Sequence, residues 1–572
     1  MKHSTKFALT TLAASLALMH APANATNGYF LTGSGYRAQG MGGVGIAYGR
    51  DSLSIGANPA NVVNTGMRGD MGFGVFNAEV YEAVGASANV PLRANGPLSV
   101  AGFGFDTSSK SAANYFLVPE MGMTMNLTER LSLGMAFLGG GLATAYRSNP
   151  FAFSTFPGRP NNDQDDKAGV ELFQLQAPLT FGYRLNDDHS VGAAINFAAQ
   201  RFRAYGLGAF KVFDDPNPAP VGQPPGLGFP ITADSANLTN RGMDYSYGAG
   251  FKLGWLGEFL DDRLTVGLAY TSRTYMTKFD KYRGLFAEQG DFDIPENYGI
   301  GIALKPTKNL VVALDVTRIN YSDVASVGNR GPGTSELTEL GGYNNQTNQI
   351  RGIDSIKDGQ TNGSAPPASK FETGNDEGAG FGWDDMTVYK LGVQYGLNKR
   401  MQLRAGLNYG KSPVSDDQMT FNILAPGIVE KHYSVGFTYK HTEELEITGT
   451  YVYVPSASQT SPARQNVVGA ATANMHQNVF GLSLGWVLDP GLRDYGDADA
   501  EAFDFSNFYL GLSGGHSLAR NWGGKDFEAA FATAGLTSTT ATDNRSSAFK
   551  GYVGYQFNRY FGVEGGFVDL ND

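Results

Sequence analysis

The sequence predicts an all-β fold, a transmembrane antiparallel β-barrel of about fourteen strands. Three observations carry this reading. Runs of about ten residues alternate apolar with small or polar side chains. The connections between the runs are alternately very short and long. The composition joins 76 glycines to 12 % aromatic residues, which suits sheets with tight turns and aromatic girdles.

The N-terminus comes first. Lys2 and Lys6 supply a positive start, Phe7 to Met19 an apolar stretch, and Ala23-Asn24-Ala25 a small-residue cleavage site. Residues 1–25 are therefore read as a signal peptide cleaved between Ala25 and Thr26; the alternative is a short buried helix. No later stretch is apolar enough, for long enough, to span a bilayer as a helix. Residues 26–68 do not alternate and are rich in small residues. Lying just before the first strand, they are read as a plug inside the lumen or as an unstructured tail.

Residues 69–488 carry the strands. Tyr433, Val435, Phe437 and Tyr439 alternate with Ser434, Gly436, Thr438 and Lys440. Leu403, Ala405, Leu407 and Tyr409 alternate with Arg404, Gly406, Asn408 and Gly410. Leu310, Val312, Leu314 and Val316 alternate with Val311, Ala313, Asp315 and Thr317. A soluble sandwich also alternates, but with shorter strands. Short turns fall at 127–130, 186–188, 306–309, 398–400 and 441–443. Long polar loops fall near 86–113, 144–170, 204–242, 276–294, 324–385, 412–430 and 456–475. Bacterial outer-membrane barrels place short turns on the periplasmic side and long loops outside, with an even strand count. Leu98–Asp106 is assigned to the first external loop, since a strand there makes the count odd.

Bulk charge narrows the function. A formal net charge of −11 and a pI near 5.2 argue against a nucleic-acid partner. The chain has no cysteine, so packing and hydrogen bonding alone hold it; a closed barrel does this by pairing every strand edge.

Particular motifs then resemble a known family. Thr26-Asn27-Gly28-Tyr29-Phe30, the run Gly40–Gly45 and Asn58-Pro59-Ala60 resemble the plug of the FadL/TodX transporters. Pro295-Glu296-Asn297-Tyr298-Gly299 with Leu304-Lys305-Pro306-Thr307, and Arg404–Tyr409 with Ser412-Pro413-Val414, resemble later hairpins of that family. The resemblance covers residues 26–488. It implies a plugged barrel that captures a hydrophobic ligand in its external loops and releases it sideways, through a break in the wall, into lipid. The expected ligand is a long-chain fatty acid or an aromatic or aliphatic hydrocarbon, carried passively by a monomer without cofactor.

The candidate residues follow. Gly139-Gly140-Gly141, in a strand from about Arg130 to Tyr146, permits a kink or bulge; it resembles the kinked strand of the family and is the expected lateral opening, the alternative being room for packing against the plug. Phe151, Phe153 and Phe156, then Leu227, Phe229 and Ile231, then Leu285 and Phe286, put apolar groups in long loops, as a ligand-capture surface or as packing of loop on loop. Arg201 and Arg203 share one face of a strand, expected to point into the lumen, where either pairs with a ligand carboxylate or with an acidic side chain.

Other matches are discounted. Gly40-x-Gly42-x-x-Gly45 lacks the flanking strand and helix of a dinucleotide site. Gly511-x-Ser513-x-Gly515 falls in an alternating run, not at a strand-to-helix turn. The histidines have no metal-ligand spacing, and Asp163, Asp165 and Asp166 read as a solvated loop. No metal site and no enzyme activity is expected. The alternatives to transport are an adhesive surface barrel or phage receptor, and a lipid enzyme for which no Ser/His/Asp set is evident.

Residues 489–505 form an acidic linker. Residues 506–572, through Phe508-Tyr509-Leu510-Gly511 and Gly551–Glu564, resemble the opening strands of small OmpA-like barrels. About three strands fit this length, whereas the smallest membrane barrels need about eight.

Overall fold

Strand pairing closes a ring of fourteen antiparallel strands. The structure is a computed structural model that describes residues 27–84, 90–91, 99–100, 107–150, 167–208, 232–331, 343–344, 349–350, 373–461, 471–489, 508–518, 545–556 and 562–569. The barrel strands are β1 Met67–Val84, β2 Tyr115–Asn126, β3 Leu131–Tyr146, β4 Ala168–Arg184, β5 His189–Tyr205, β6 Asp244–Phe259, β7 Leu264–Thr271, β8 Asn297–Thr307, β9 Leu310–Ile319, β10 Met386–Asn398, β11 Met401–Gly410, β12 Lys431–Lys440, β13 Leu445–Thr460 and β14 Ala471–Asp489. Each pairs with its sequence neighbours, and β14 closes the ring on β1 from Met67↔Asp489 to Val84↔Ala471. The expected count and the alternation of connections both hold. One short turn escaped the sequence reading, Leu260–Arg263, where Leu260, Asp261 and Asp262 all have positive φ. Of the segment Leu98–Asp106, only Ser99–Val100 is described; it pairs with Val90–Pro91, outside the ring.

The alternation points the apolar side chains outward. On β12, Tyr433, Val435 and Phe437 are exposed while His432, Ser434 and Thr438 are buried. On β11, Leu403, Leu407 and Tyr409 are exposed, while Gln402, Arg404 and Asn408 are buried. An apolar exterior over a polar interior is the inverse of a soluble protein and matches a wall solvated by lipid tails. Among the described residues no helix is long and apolar enough to cross a membrane.

Inside the ring lie residues 27–66. Tyr36 Oη donates to Val118 O (2.5 Å) on β2, and Gly42 N to Ser434 Oγ (2.8 Å) on β12. Gly45 N and Ile46 N share Asp315 Oδ2 on β9, at 2.7 and 2.9 Å. The segment reaches the wall this closely because both surfaces are small: a Cβ on Gly406 of β11 would lie 2.0 Å from Gly42 N. Asn58 caps the short 3₁₀ turn Pro59–Asn64 by accepting from Ala60 N at 2.9 Å, with Pro59 at the first helical position. Asn58, Pro59 and Ala60 are buried against the wall, where Asn58 Nδ2 also donates to Trp255 O (3.2 Å) on β6.

Residues 501–572 form a separate compact unit. Its described part is a three-stranded antiparallel sheet, β15 Phe508–Leu518, β16 Arg545–Gln556 and β17 Gly562–Asp569. Ser513 sits in the middle of β15, not at a strand-to-helix turn.

Candidate functional site

Among the described residues, the ladder between β2 and β3 is interrupted. Their ladder runs from Asn126↔Ser132 only as far as Glu120↔Leu138. Beyond it, Tyr115–Pro119 stay paired to β1 and Gly139–Tyr146 stay paired to β4, but not to each other. Contact resumes higher up, where Ser111 bridges Tyr146 and Ala112 N donates to Ala145 O at 2.7 Å. The physical causes are local. Pro119 has no N–H to offer at the point where pairing stops, and Gly141 takes φ 142°, a backbone state that glycine tolerates. The triplet Gly139-Gly140-Gly141 thus lies along the edge of a gap in the ladder. The sequence signalled it through the glycines; Pro119 on the facing strand was the unread half of the signal.

A cavity of ≈ 140 Å³ adjoins this gap. Its apolar lining includes Tyr29, Phe30, Leu138 and Ile319, and Gly139 and Gly140 form its border with the gap. Its polar lining includes Lys252, Lys390 and Asp315. Lys252 Nζ donates to Gly56 O at 2.9 Å. Neither lysine was singled out from the sequence, because an isolated Lys on an alternating strand reads as one more polar lumen position.

A second, apolar cavity of ≈ 20 Å³ lies across Tyr29, lined by Leu142, Leu172, Phe202, Phe286, Phe292 and Trp383 among others. Tyr29 borders both cavities. It is held by Phe30 at 5.1 Å, Tyr321 at 5.4 Å, Trp383 at 5.8 Å and Phe292 at 6.0 Å between ring centroids.

The remaining candidates fall in several places. Phe286 is buried among Phe202 (4.7 Å) and Phe292 (4.8 Å), and Leu285 is buried in the same cluster. Neither is an exposed capture residue: loop 272–296 folds over the barrel mouth and packs its apolar groups inward. Phe151, Phe153, Phe156, Leu227, Phe229 and Ile231 lie outside the described residues, as do Asp163, Asp165 and Asp166.

Arg201 and Arg203 require a correction. Strand parity puts both on the side of Ile195 and Phe197, which are exposed on the outer wall, while Phe202 and Ala204 face inward. The two share Glu171 of β4, Arg201 Nη2 at 2.6 Å and Arg203 Nη2 at 2.8 Å. The sequence showed that they share a face but not which one, since here the run Ala198–Tyr205 mixes charge and bulk on both sides. Their partner is the acidic side chain of Glu171, as the alternative had it, while strand parity places the pair outside the lumen. Among the described residues no group of side chains could hold a metal ion.

Comparison with known proteins completes the placement. Among curated protein sequences nothing matches significantly. Solved structures do match. The crystal structure of the P. putida toluene transporter TodX is 14 % identical with a TM-score of 0.50, covering 80 % of this chain and 98 % of TodX. That of a Pseudomonas aeruginosa FadL homologue is 13 % identical with a TM-score of 0.52, covering 81 % of this chain and all of the homologue. At such identity the likeness establishes the fold. The family model for the outer membrane protein transport protein (OMPP1/FadL/TodX) family matches residues 20–486, which take in the segment inside the barrel and all of the barrel but the last three residues of β14. This chain therefore belongs to the OMPP1/FadL/TodX family of outer-membrane transport proteins.

Proposed function

We propose that this protein carries long-chain fatty acids or related hydrophobic compounds passively across the outer membrane, and that residues 27–66 act as its plug. The ligand enters through the aromatic layer around Phe202, Phe286 and Phe292, passes Tyr29 and occupies the cavity beside Gly139 and Gly140. It leaves sideways between β2 and β3. The observation that supports this route above all is that the gap in the wall and the cavity share those two glycines.

The energetics favour it. Each methylene kept out of water is worth about 0.8 kcal/mol, so a long chain gains by going from an apolar cavity directly into lipid. Outside the gap, Phe73, Val75 and Tyr115 are exposed on the lipid-facing wall, ready to receive an acyl chain. Lys252 and Lys390 favour a ligand with an anionic head over a plain hydrocarbon, because a carboxylate in that cavity meets two cations and only the one carboxylate of Asp315. The P. putida relative is described as a toluene transporter, so monoaromatic hydrocarbons are the comparison to make.

Uptake of palmitate and of toluene, measured in a strain lacking its own transporters and supplied with this chain, tests the reading. Saturable uptake of palmitate exceeding that of the empty-vector strain is expected. Uptake of toluene alone would replace the fatty acid by an aromatic ligand, and uptake of neither would remove transport.

A further inference from the structure

Above the gap the rim opens into a polar trough of ≈ 570 Å³. It runs between the short strand Thr107–Lys110, which pairs with the end of β1, and the residues that follow β3. Ser109, Lys110, Ser111, Asn114, Arg147 and Ser148 line it. Arg147 is exposed and forms no ion pair among the described residues. Lys110 is different: its Nζ donates to Glu79 Oε2 at 2.6 Å and sits 4.9 Å above the Tyr81 ring, so its charge is largely spent.

The position of the trough is what gives it meaning. Ser111, which lines it, bridges Tyr146 at the upper end of the gap. Directly below, Tyr115 and Leu117 turn outward, exposed to the lipid side. A ligand whose tail slides out past these residues must put its head somewhere. A carboxylate cannot follow into hydrocarbon without a large desolvation cost. The first polar cradle above the exit contains the exposed guanidinium of Arg147, which has no ion pair among the described residues, flanked by serine hydroxyls.

We propose that this rim trough is an exit subsite for the carboxylate head of a departing amphiphile, with Arg147 as its anion-binding residue. The subsite makes the lateral route selective: an anionic amphiphile is handed over with its head held at the rim, while a neutral hydrocarbon leaves without using it. The inference rests on the lateral-exit reading above.

The test compares two probes of equal chain length, palmitate and hexadecane, in cells carrying the full chain or its variants Arg147→Glu, Arg147→Ala and Arg147→Lys. The charge reversal is expected to lower palmitate uptake about tenfold, the loss of one charge-assisted contact. Hexadecane uptake should stay within about twofold of the unaltered chain, and Arg147→Lys should restore most of the palmitate rate. Equal loss of both probes would overturn the proposal, since it would mark a structural role or a resident lipid phosphate. No loss of palmitate would overturn it too. Folding is checked independently by the heat-dependent shift of the barrel in electrophoresis, and Arg147 on an exposed rim is free to change without unfolding the wall. If the unaltered chain carries neither probe, lateral transport fails first, and the subsite with it.

Discussion

Tyr321 donates its hydroxyl hydrogen to the carbonyl of Asn27 at 2.6 Å, joining the loop after β9 to the start of the segment inside the barrel. Both residues are buried. Gly28 is forced by this contact: its φ is +67°, and a Cβ there would lie 2.3 Å from the Tyr321 hydroxyl. Replacing Tyr321 by Phe keeps the ring against Tyr29 and Trp383 but leaves the Asn27 carbonyl without its partner. The cost should be about 1–3 kcal/mol, confined to the N-terminal end. Hydrogen exchange checks it: residues 27–31 should exchange faster while β9 and β10 do not change. Uniform faster exchange would contradict a local role.

Filling the wall gap should block exit without unfolding the barrel. A Cβ on Gly139 meets nothing closer than Pro119 O at 3.7 Å, and one on Gly140 nothing closer than Tyr29 O at 3.5 Å. Gly139→Val with Gly140→Val should therefore fold, with a stability change within about 1 kcal/mol. Palmitate uptake should fall severalfold. Normal uptake by a folded double variant would argue that ligand leaves elsewhere.

The lower end of the inner segment is held by charge. Glu446 Oε2 accepts from Arg37 Nη1 at 3.2 Å and from Arg68 Nη2 at 3.0 Å, and Arg68 also grips Asp70 Oδ1 at 2.6 Å. Ser52 Oγ donates to Asp70 Oδ2 at 2.6 Å. All four charged side chains are nearly buried, so Glu446→Ala should cost about 3–5 kcal/mol by leaving the Arg37 guanidinium without its carboxylate and taking from Arg68 one of its two. By contrast, Asp234→Ala, which breaks an exposed pair with Arg283, should cost under about 1 kcal/mol. Unfolding midpoints in one detergent, measured for both variants, check the difference; equal midpoints would contradict it.

Loop 272–296 should respond to pH. Burial, then repulsion from Asp293 and Glu288, pushes the Asp291 carboxyl up from 3.8 to about 6, against the pull of Arg273 and Lys278. With its pKa raised, the folded loop binds the proton more tightly than the opened loop does. The stabilisation is complete below pH 4 and is lost as pH rises through about 6. Proteolysis within residues 279–294 should accordingly quicken from about pH 4.5 to about pH 7, across that titration, and Asp291→Asn should flatten the change. An unchanged slope in the variant would place the titrating group elsewhere.

The sequence by itself determined the architecture. Alternating runs such as Lys431–Lys440 have one side that suits lipid and another that suits a polar lumen. Short and long connections in strict succession leave an up-and-down barrel as the arrangement that pairs every edge. The glycine triplet at 139–141 was legible as a weak point for the same reason, since its effect on a strand is local. What only the tertiary structure decided is which residues meet. Arg201 and Arg203 could be put on one face from their spacing, yet parity gains a direction only when the ring closes around residues 27–66. Leu285 and Phe286 look exposed along the chain and become buried once their loop folds across the mouth. Pro119 acquires meaning because Gly139 stands opposite, and Lys252, Lys390 and Asp315 form one cavity although they lie far apart in sequence. Local periodicity fixes the strand; contacts across the barrel depend on closure, and closure involves the whole chain.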